Sequence, residues 1–369
     1  MKPLITIVFF VIFSSVKAQH THLAMDSLSF PDIPGYSTLI TDLHQHSVFS
    51  DGSVWPDIRV MEALREGVDV ISLTEHLEYQ PHAADIPHPD RNRSYDLALA
   101  EAKDHDLMII HGSEITRNAP IGHSNAVFIT DANELLAEEA TTSFSNAKKQ
   151  GAFVFWNHPA WYWQQPQGNP VLSDFQKARI TAGELHGIEV INTTDYSEEA
   201  LALALENDLT IMGTSDIHGL ISWDYEDQGK HRPVTLVFAE ARTPEALKSA
   251  LFEGRTVAVY NELFVGKAEY LIPLLQASIS IISSQYIENT QILRVELHNA
   301  SSSDLLLENA MEYNFYSSSP VFTIPAGGTY TLQIKTLEEM DSVTLKLRAL
   351  GAYTAPRIHP EISWEITPE

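Results

Sequence analysis

The run Thr41-Asp42-Leu43-His44-Gln45-His46 closes an apolar stretch with two histidines two positions apart. Side chains at i and i+2 of a strand point the same way, so both imidazoles can reach one metal ion. Ser50-Asp51-Gly52 then turns the chain and sets a carboxylate beside them. An isolated His-x-His is more often the polar face of an edge strand than a ligand pair. Here, however, the same kind of event recurs. Glu75-His76 follows an apolar run at 69–74, and Glu114 with Arg117 follows another at 107–111. His123 precedes 126–130, Asn157-His158-Pro159 ends 152–156, and Asp216-Ile217-His218 follows 209–213. Six of the sixteen histidines, with Asp51, Glu114 and Asp216, supply nitrogen and oxygen donors and no sulfur. Nine such donors are too many for one tetrahedral ion and suit two or three borderline divalent ions sharing a carboxylate.

The elements that must position these residues alternate. Strand-like runs at 69–74, 107–111, 126–130, 152–156, 187–191, 209–213 and 234–238 are separated by helix-like segments at 56–66, 95–105, 132–150, 197–207 and 244–253. Seven or eight β–α units predict a parallel α/β barrel, TIM-like, rather than an open sheet. In such a barrel the strand C-termini face one end, and the polar clusters lie at strand ends. No Gly-x-Gly-x-x-Gly follows a strand, which argues against a dinucleotide fold. Near 254–260 the pattern changes, and from about 266 long helical periodicity is lacking. Short strands at 291–297, 311–316, 329–334 and 342–347, with a strand–turn–strand at 321–330, predict a small all-β sandwich. The expected division is a leader at 1–18, an extended lead-in at 19–36, the barrel at 37–265 and the sandwich at 266–369. The last holds only His298 and His359 as candidate ligands.

Twenty-three basic against 49 acidic residues leave a net charge of −26 in 369 residues. Such a surface repels nucleic-acid backbone and anionic membrane, so neither a nucleic-acid partner nor stable membrane association is expected. If the substrate is an anion, a local positive centre must reverse the field, as a metal cluster does. Lys2, the apolar run from Ile5 to Phe13 and Val16-Lys17-Ala18 read as a cleavable secretory leader, too short to span a bilayer. With no cysteine in the chain, an exported, periplasmic or secreted protein is expected to hold neither disulfides nor thiolate ligands. Nothing in the sequence points to a protein partner.

Taken together and in order, Asp42-Leu43-His44-Gln45-His46 with Ser50-Asp51-Gly52, Thr74-Glu75-His76, Gly112-Ser113-Glu114, Asn157-His158-Pro159 and Asp216-Ile217-His218 resemble the motifs of the PHP (polymerase and histidinol phosphatase) superfamily over about residues 37–260. Ser53-Val54-Trp55-Pro56, Asn92-Arg93-Ser94-Tyr95, 153–159 and 231–238 resemble, more narrowly, exported phosphodiesterases of the Sb-PDE type. The resemblance implies a distorted seven-stranded β/α barrel and a trinuclear centre of zinc, manganese or iron. It assigns His44, His46, Glu114 and Asp216 to a first metal. Asp51 and His76, with Glu114 bridging, fall to a second, and His123, His158 and His218 to a third. Some members carry His where Asp51 stands and many carry Asp where Glu75 stands; Glu75 is expected to support the ligands rather than to be one.

The chemistry so implied is attack of a metal-bridging hydroxide on the phosphorus of a small phosphate ester, with Glu114 and Asp216 among the catalytic groups. Arg117 is expected to clamp a phosphate oxygen, its bland alternative being a surface salt bridge. His186 and His231-Arg232 are candidates for protonating the leaving alcohol or binding substrate, or else are structural. Trp156, Trp161, Trp163 and Trp223 could wall a pocket for the ester group, or could simply be packing. A phosphodiester is the expected substrate and a monoester, histidinol-phosphatase-like, the alternative. A C–N or C–O hydrolase would be favoured by a bridging lysine, absent from these motifs, and a non-catalytic binding module by lost ligands.

Overall fold

The computed structural model describes residues 27–369; the leader expected at 1–18 and the start of the lead-in lie outside the described residues. The rest of the lead-in packs onto the first domain, with Leu28 buried and its N–H donating to Glu66 O.

The chain opens with strand β1 (Ser37–Gln45), buried at every position after the first. Helix α1 (Pro56–Glu66) follows. Pro56 stands at its start, where no intrahelical donor is needed, and Gly67 ends it in the left-handed conformation. Then come β2 (Val70–Leu73), α2 (Arg93–Ala102), β3 (Met108–Ile109), β4 (Gly112–Ile115) and β5 (Ser124–Val127). After them lie α3 (Ala140–Lys149), β6 (Phe153–Trp156), α4 (Asp174–Thr181), β7 (Gly187–Asn192), β8 (Asp195–Tyr196), α5 (Glu198–Glu206) and β9 (Thr210–Thr214). The first domain finishes with the short α6 (Ile221–Asp224), β10 (Val234–Ala239), α7 (Pro244–Phe252), β11 (Thr256–Tyr260) and β12 (Leu263–Gly266).

The strands do not form the single parallel ring expected. They fall into two sheets. In the first, β1 runs parallel to β2 and β2 to β3, whereas β10 lies antiparallel to β1, β11 to β10 and β12 to β11. In the second, β6, β7 and β9 are parallel, but β4, β5 and β6 meet antiparallel. The physical reason at β5 is connection length: residues 116–123 carry no helix, and a parallel return needs a crossover of a dozen or more residues. The sheets are joined by lone bridges, Gln45 with Ile217 and His76 with Glu114, both beside the candidate ligands. Gly213 on β9 lets them approach, since a Cβ there would stand 2.9 Å from the Cβ of Ala258.

An eleven-residue helix, α8 (Ala268–Ser278), corrects the expectation that helical periodicity ends at 266. Beyond it, β13 (Ile279–Tyr286), β14 (Ile292–Asn299), β15 (Leu305–Asn309), β16 (Asn314–Phe315), β17 (Val321–Ile324), β18 (Thr329–Lys335), β19 (Val343–Ala349), β20 (Ala352–Tyr353) and β21 (Glu361–Ile366) complete the chain. Two four-stranded antiparallel sheets result, β13-β14-β18-β16 and β17-β15-β19-β21. Leu293, Val295 and Leu297 alternate inward from one, and Leu345 and Leu347 from the other. One buried apolar cluster runs from these residues through Leu271, Leu274 and Leu275 of α8 to Val257, Val259 and Phe264 of the first sheet. β20 leaves the sandwich to pair in parallel with β12. No described helix is long and apolar enough to cross a membrane.

Candidate metal centre

His44 lies near the end of β1 and His46 immediately beyond it; both are fully buried. The turn after them brings Asp51 back only because residue 52 is glycine: a Cβ there would lie 2.7 Å from the carbonyl carbon of His46. Glu114 enters from β4, His76 from the segment after β2, His123 just before β5, His158 just after β6, and Asp216 and His218 after β9. Asp216 and His158 hold φ of 50° and 29°, in the left-handed region that non-glycine residues avoid. Strain of this kind persists where surrounding structure over-determines it, as at functional sites.

All nine expected donors converge. Four overlapping sets have ligand atoms within 4.8 Å of one another: His46, Asp51, His76 and His218; His44, His158 and Asp216; His44, His46 and Glu114; His76, Glu114 and His123. Asp216 Oδ1 stands 3.1 Å from His44 Nε2 and 3.2 Å from His46 Nε2. Glu114 reaches His76 at 2.5 Å through one oxygen and His123 at 2.8 Å through the other. Glu114 thus belongs to two of the four sets, and the resemblance implies a bridging role for it. The grouping of His123, His158 and His218 as one set differs from the arrangement found. His218 instead lies 3.0 Å from Asp51 and stacks on the ring of His46.

Electrostatics divides these imidazoles. Burial, aided by the neighbouring His76 and His218, pushes His46 down to about 3, so it stays neutral with a free lone pair. Burial would also depress His76, but Glu114 and Asp51 overcome it and raise this residue to about 10. His44 is likewise raised against burial, by Asp216 and Glu189. Despite burial, histidine contacts hold Glu114 and Asp216 well below the usual carboxylate range. The site therefore keeps its carboxylates ionised at neutral pH. Asp51 Oδ1, Glu114 Oε2 and His123 Nδ1 are buried and lie near other donors or acceptors in directions that make no hydrogen bond. Such atoms cost about 1–3 kcal/mol each when left unsatisfied. A divalent cation would satisfy them, and the sulfur-free donor set fits one.

Several supporting groups were not singled out in the sequence. Glu189, buried in β7, accepts from His44 Nδ1 at 2.7 Å and Thr214 Oγ1 at 2.6 Å on one oxygen. Its other oxygen accepts from His158 N–H at 2.6 Å and Asn192 Nδ2 at 2.9 Å. That fixes which nitrogen of His44 faces the cluster. Asn157 donates to Glu114 at 3.0 Å, and Asn125 accepts its other amide hydrogen. The signal was available: a lone carboxylate inside Gly187-Ile188-Glu189-Val190-Ile191 is out of place in a strand buried on both faces. Glu75 is placed as expected, accepting from the Ser47 backbone and from the Ser47 and Ser50 hydroxyls.

Other expectations are corrected. Arg117 turns away to the carbonyls of Ala137 and Glu138 and to Glu78 at 2.9 Å, where short-range partners neutralise it. Arg232 is buried between Asp42, at 3.1 Å, and Glu66, beneath the site. His186 precedes β7, at the strand end away from the cluster, and packs on Phe153 and Phe252 with Nδ1 accepting from Val154 N–H. His231 lines a different cleft, between the first domain and the sandwich. Trp156 is core, while Trp163 and Trp223 are exposed and outside the cavity described next.

That cavity, of about 600 Å³, opens over Asp51, His76, His123, His158, Asp216 and His218. Trp161 and Tyr162 stand at its rim, the former against the rings of His123 and His158. Among the described residues that line it there is no lysine or arginine.

Buried donors at the floor of such a cavity define a divalent-metal centre of the hydrolase kind. A two-domain protein from Bacteroides vulgatus containing a predicted PHP-like metal-dependent phosphoesterase matches 93% of this chain and 98% of its own, at 37% identity and a TM-score of 0.85. The chain belongs to this family of two-domain PHP-like metal-dependent phosphoesterases. A protein from Bifidobacterium adolescentis assigned as a metal-dependent phosphoesterase is more distant, at 18% identity, a TM-score of 0.39, and coverage of 49% of this chain and 88% of its own. Residues 279–365 match the Ig-like domain family DUF5001. Among curated proteins none matches the sequence.

Proposed function

We propose that the protein is an exported phosphoesterase that hydrolyses small phosphodiesters with three divalent ions, zinc, manganese or iron, as in Sb-PDE-type enzymes. One observation carries the reading: nine nitrogen and oxygen donors meet beneath a cavity whose lining, among the described residues, has no lysine or arginine. An anionic ester would meet Asp51, Glu189, Asp195 and Asp216 there, so the charge that binds it must be brought by cations. The four overlapping donor sets would hold them, Asp51, His76 and His218 belonging to one set with His46, and Glu114 being shared between two others. Bound divalent ions supply an acidified water and neutralise phosphoryl charge.

The chain's own residues do the rest. Glu189 and Asn157 orient His44 and Glu114. Trp161 and Tyr162 offer the flat apolar surface that the second organic group of a diester needs. Export is supported by the leader-like composition of residues 1–18.

The test is a kinetic comparison of one aryl phosphodiester with its monoester on protein loaded with each metal in turn. The diester is expected to have the higher kcat/KM, chelation and Glu114→Gln are expected to abolish turnover, and Trp161→Ala should harm the diester more. Equal or better monoester turnover would make the protein a general phosphatase. Loss of neither activity on chelation would remove the metal assignment.

A further inference from the structure

We propose that the Ig-like domain builds one wall of the substrate cavity: Tyr353 holds the ring of Tyr196 in place and so sets how large an ester group fits. The inference rests on the phosphoesterase reading of that cavity.

The wall in question is the hairpin made by β7 and β8. Val190, Asn192, Thr193, Asp195, Tyr196 and Ser197 all line the cavity, together with residues 159–162. The hairpin is short. β8 has two residues, held by the pairs Ile191–Tyr196 and Asn192–Asp195, and its turn passes through Thr193 at a φ of 53°. Two ladder residues fix a backbone but leave a large side chain to be held by its neighbours.

Beside the buried apolar cluster on which Tyr196 packs, the aromatic neighbour is Tyr353. Its ring stacks on that of Tyr196 with centroids 5.6 Å apart and 25° between planes. Tyr353 does not itself line the cavity, so it supports the wall from outside. Its own position is well determined. Its backbone pairs with Val265 of β12, and its ring meets His359 at 4.7 Å, where His359 Nδ1 is bound to Ala352 O at 2.9 Å. The following turn is closed by Thr354 N–H donating to Ile358 O. Tyr353 lies within the segment that matches the Ig-like family, so an accessory domain sends this side chain to the catalytic one.

The Tyr196 hydroxyl is buried and makes no hydrogen bond, so the ring, not the hydroxyl, is what the cavity uses. This separates the proposal from a catalytic tyrosine. Tyr196 is a specificity residue and Tyr353 a positioning residue. Truncating Tyr353 frees the Tyr196 ring to swing, and the loss should fall on substrates whose organic groups reach this wall.

The experiment uses the full-length, metal-loaded chain and its Tyr353→Ala and Tyr353→Phe variants, with metal content measured on each. Two substrates are compared, methyl aryl and bis-aryl phosphodiesters. For Tyr353→Ala, KM for the bis-aryl ester should rise about 3- to 10-fold, the scale of a lost aromatic pair. Its kcat should stay within twofold, and both constants for the methyl ester should be unchanged. Tyr353→Phe, which keeps the stacked ring, should restore the wild-type KM for the bis-aryl ester. Equal effects on both esters, or a fall in kcat accompanied by loss of metal, would make Tyr353 merely structural and overturn the proposal. If Tyr353→Ala does not fold, Tyr353→Leu serves in its place, keeping bulk without a flat ring. Calorimetric binding of a non-hydrolysable bis-aryl phosphonate separates this idea from the functional reading. Wild type that binds the phosphonate but hydrolyses no ester refutes the phosphoesterase reading, and a 3- to 10-fold weaker binding by Tyr353→Ala would still sustain the wall. Wild-type affinity in Tyr353→Ala would overturn it.

Discussion

Glu189→Gln is the substitution whose effect the structure specifies most fully. The carboxylate accepts from four donors, two on each oxygen, at 2.6–2.9 Å: His44 Nδ1, Thr214 Oγ1, the His158 amide and Asn192 Nδ2. A glutamine has one acceptor oxygen and one donor nitrogen. Whichever way the amide turns, two of the four contacts become donor against donor. Hydrogen bonds to a charged group contribute about 1.5–3 kcal/mol each, so folding stability should fall by about 3–6 kcal/mol if nothing relaxes. Thr214 can rotate its hydroxyl to accept, which recovers part of this and leaves about 2–4 kcal/mol. His44 also loses the partner that orients Nε2 toward Asp216 and His46, and removal of such a support typically weakens metal binding by about 10–100-fold. The assay is a pair of measurements on wild type and variant: urea unfolding of the apo-protein, and metal affinity by competition with a chelator. A variant with unchanged unfolding midpoint and metal affinity within twofold would refute the argument that Glu189 is an obligate acceptor for His44.

Arg117→Ala should leave kcat/KM within threefold while lowering stability by about 1–3 kcal/mol, because its partners are two backbone carbonyls and Glu78; a hundredfold loss of kcat/KM at unchanged stability would restore a role at phosphate. Arg232→Met should cost about 3–5 kcal/mol, since it leaves Asp42 and Glu66 buried without their cation; a raised KM with no shift in melting temperature would contradict this. His111, buried and stacked on Tyr95 at 4.1 Å, is depressed to about 4 by burial. Because the unfolded chain then holds this proton more tightly, the stability from a neutral His111 is complete above pH 6.5 and lost as pH falls toward 4. The loss is about 3 kcal/mol. Unfolding of wild type and His111→Phe at pH 7 and pH 4.5 checks it: the variant should lose less on acidification, and identical losses would refute the assignment.

The nine donors were legible because they are ionisable residues flanking apolar runs or, for Asp51, in the turn beside one, a placement that side-chain type and spacing alone reveal. Strand direction was not. Alternation of strand-like and helix-like segments says nothing about which way a strand runs, and β10 lies antiparallel to β1 although a helix follows each of them. The short link before β5 was the one local clue. Helix α8 was hidden by Pro273, which sits inside it and interrupts the pattern. For the arginines, sequence shows the charge but not its partner: Asp42 and Glu66, which claim Arg232, are 190 and 166 positions away. A fixed cation near motif residues is as easily committed to a buried carboxylate as to a ligand. The domain joint was obscured for a similar reason, since the apolar cluster is continuous from one domain to the other.

The first sheet ends on both sides in strands of only two residues, Met108–Ile109 and Ala352–Tyr353. Next to the latter lies β12, whose Phe264, Val265 and Gly266 are buried. Without residues 352–353, β12 would present a row of open N–H and C=O groups on an apolar ribbon, a template for joining another molecule. Brevity at the rim offers a second chain almost nothing to extend. The 91 residues after α8 therefore act as a guard against self-association, and a chain cut after α8 should come out of solution as aggregate rather than as a smaller enzyme.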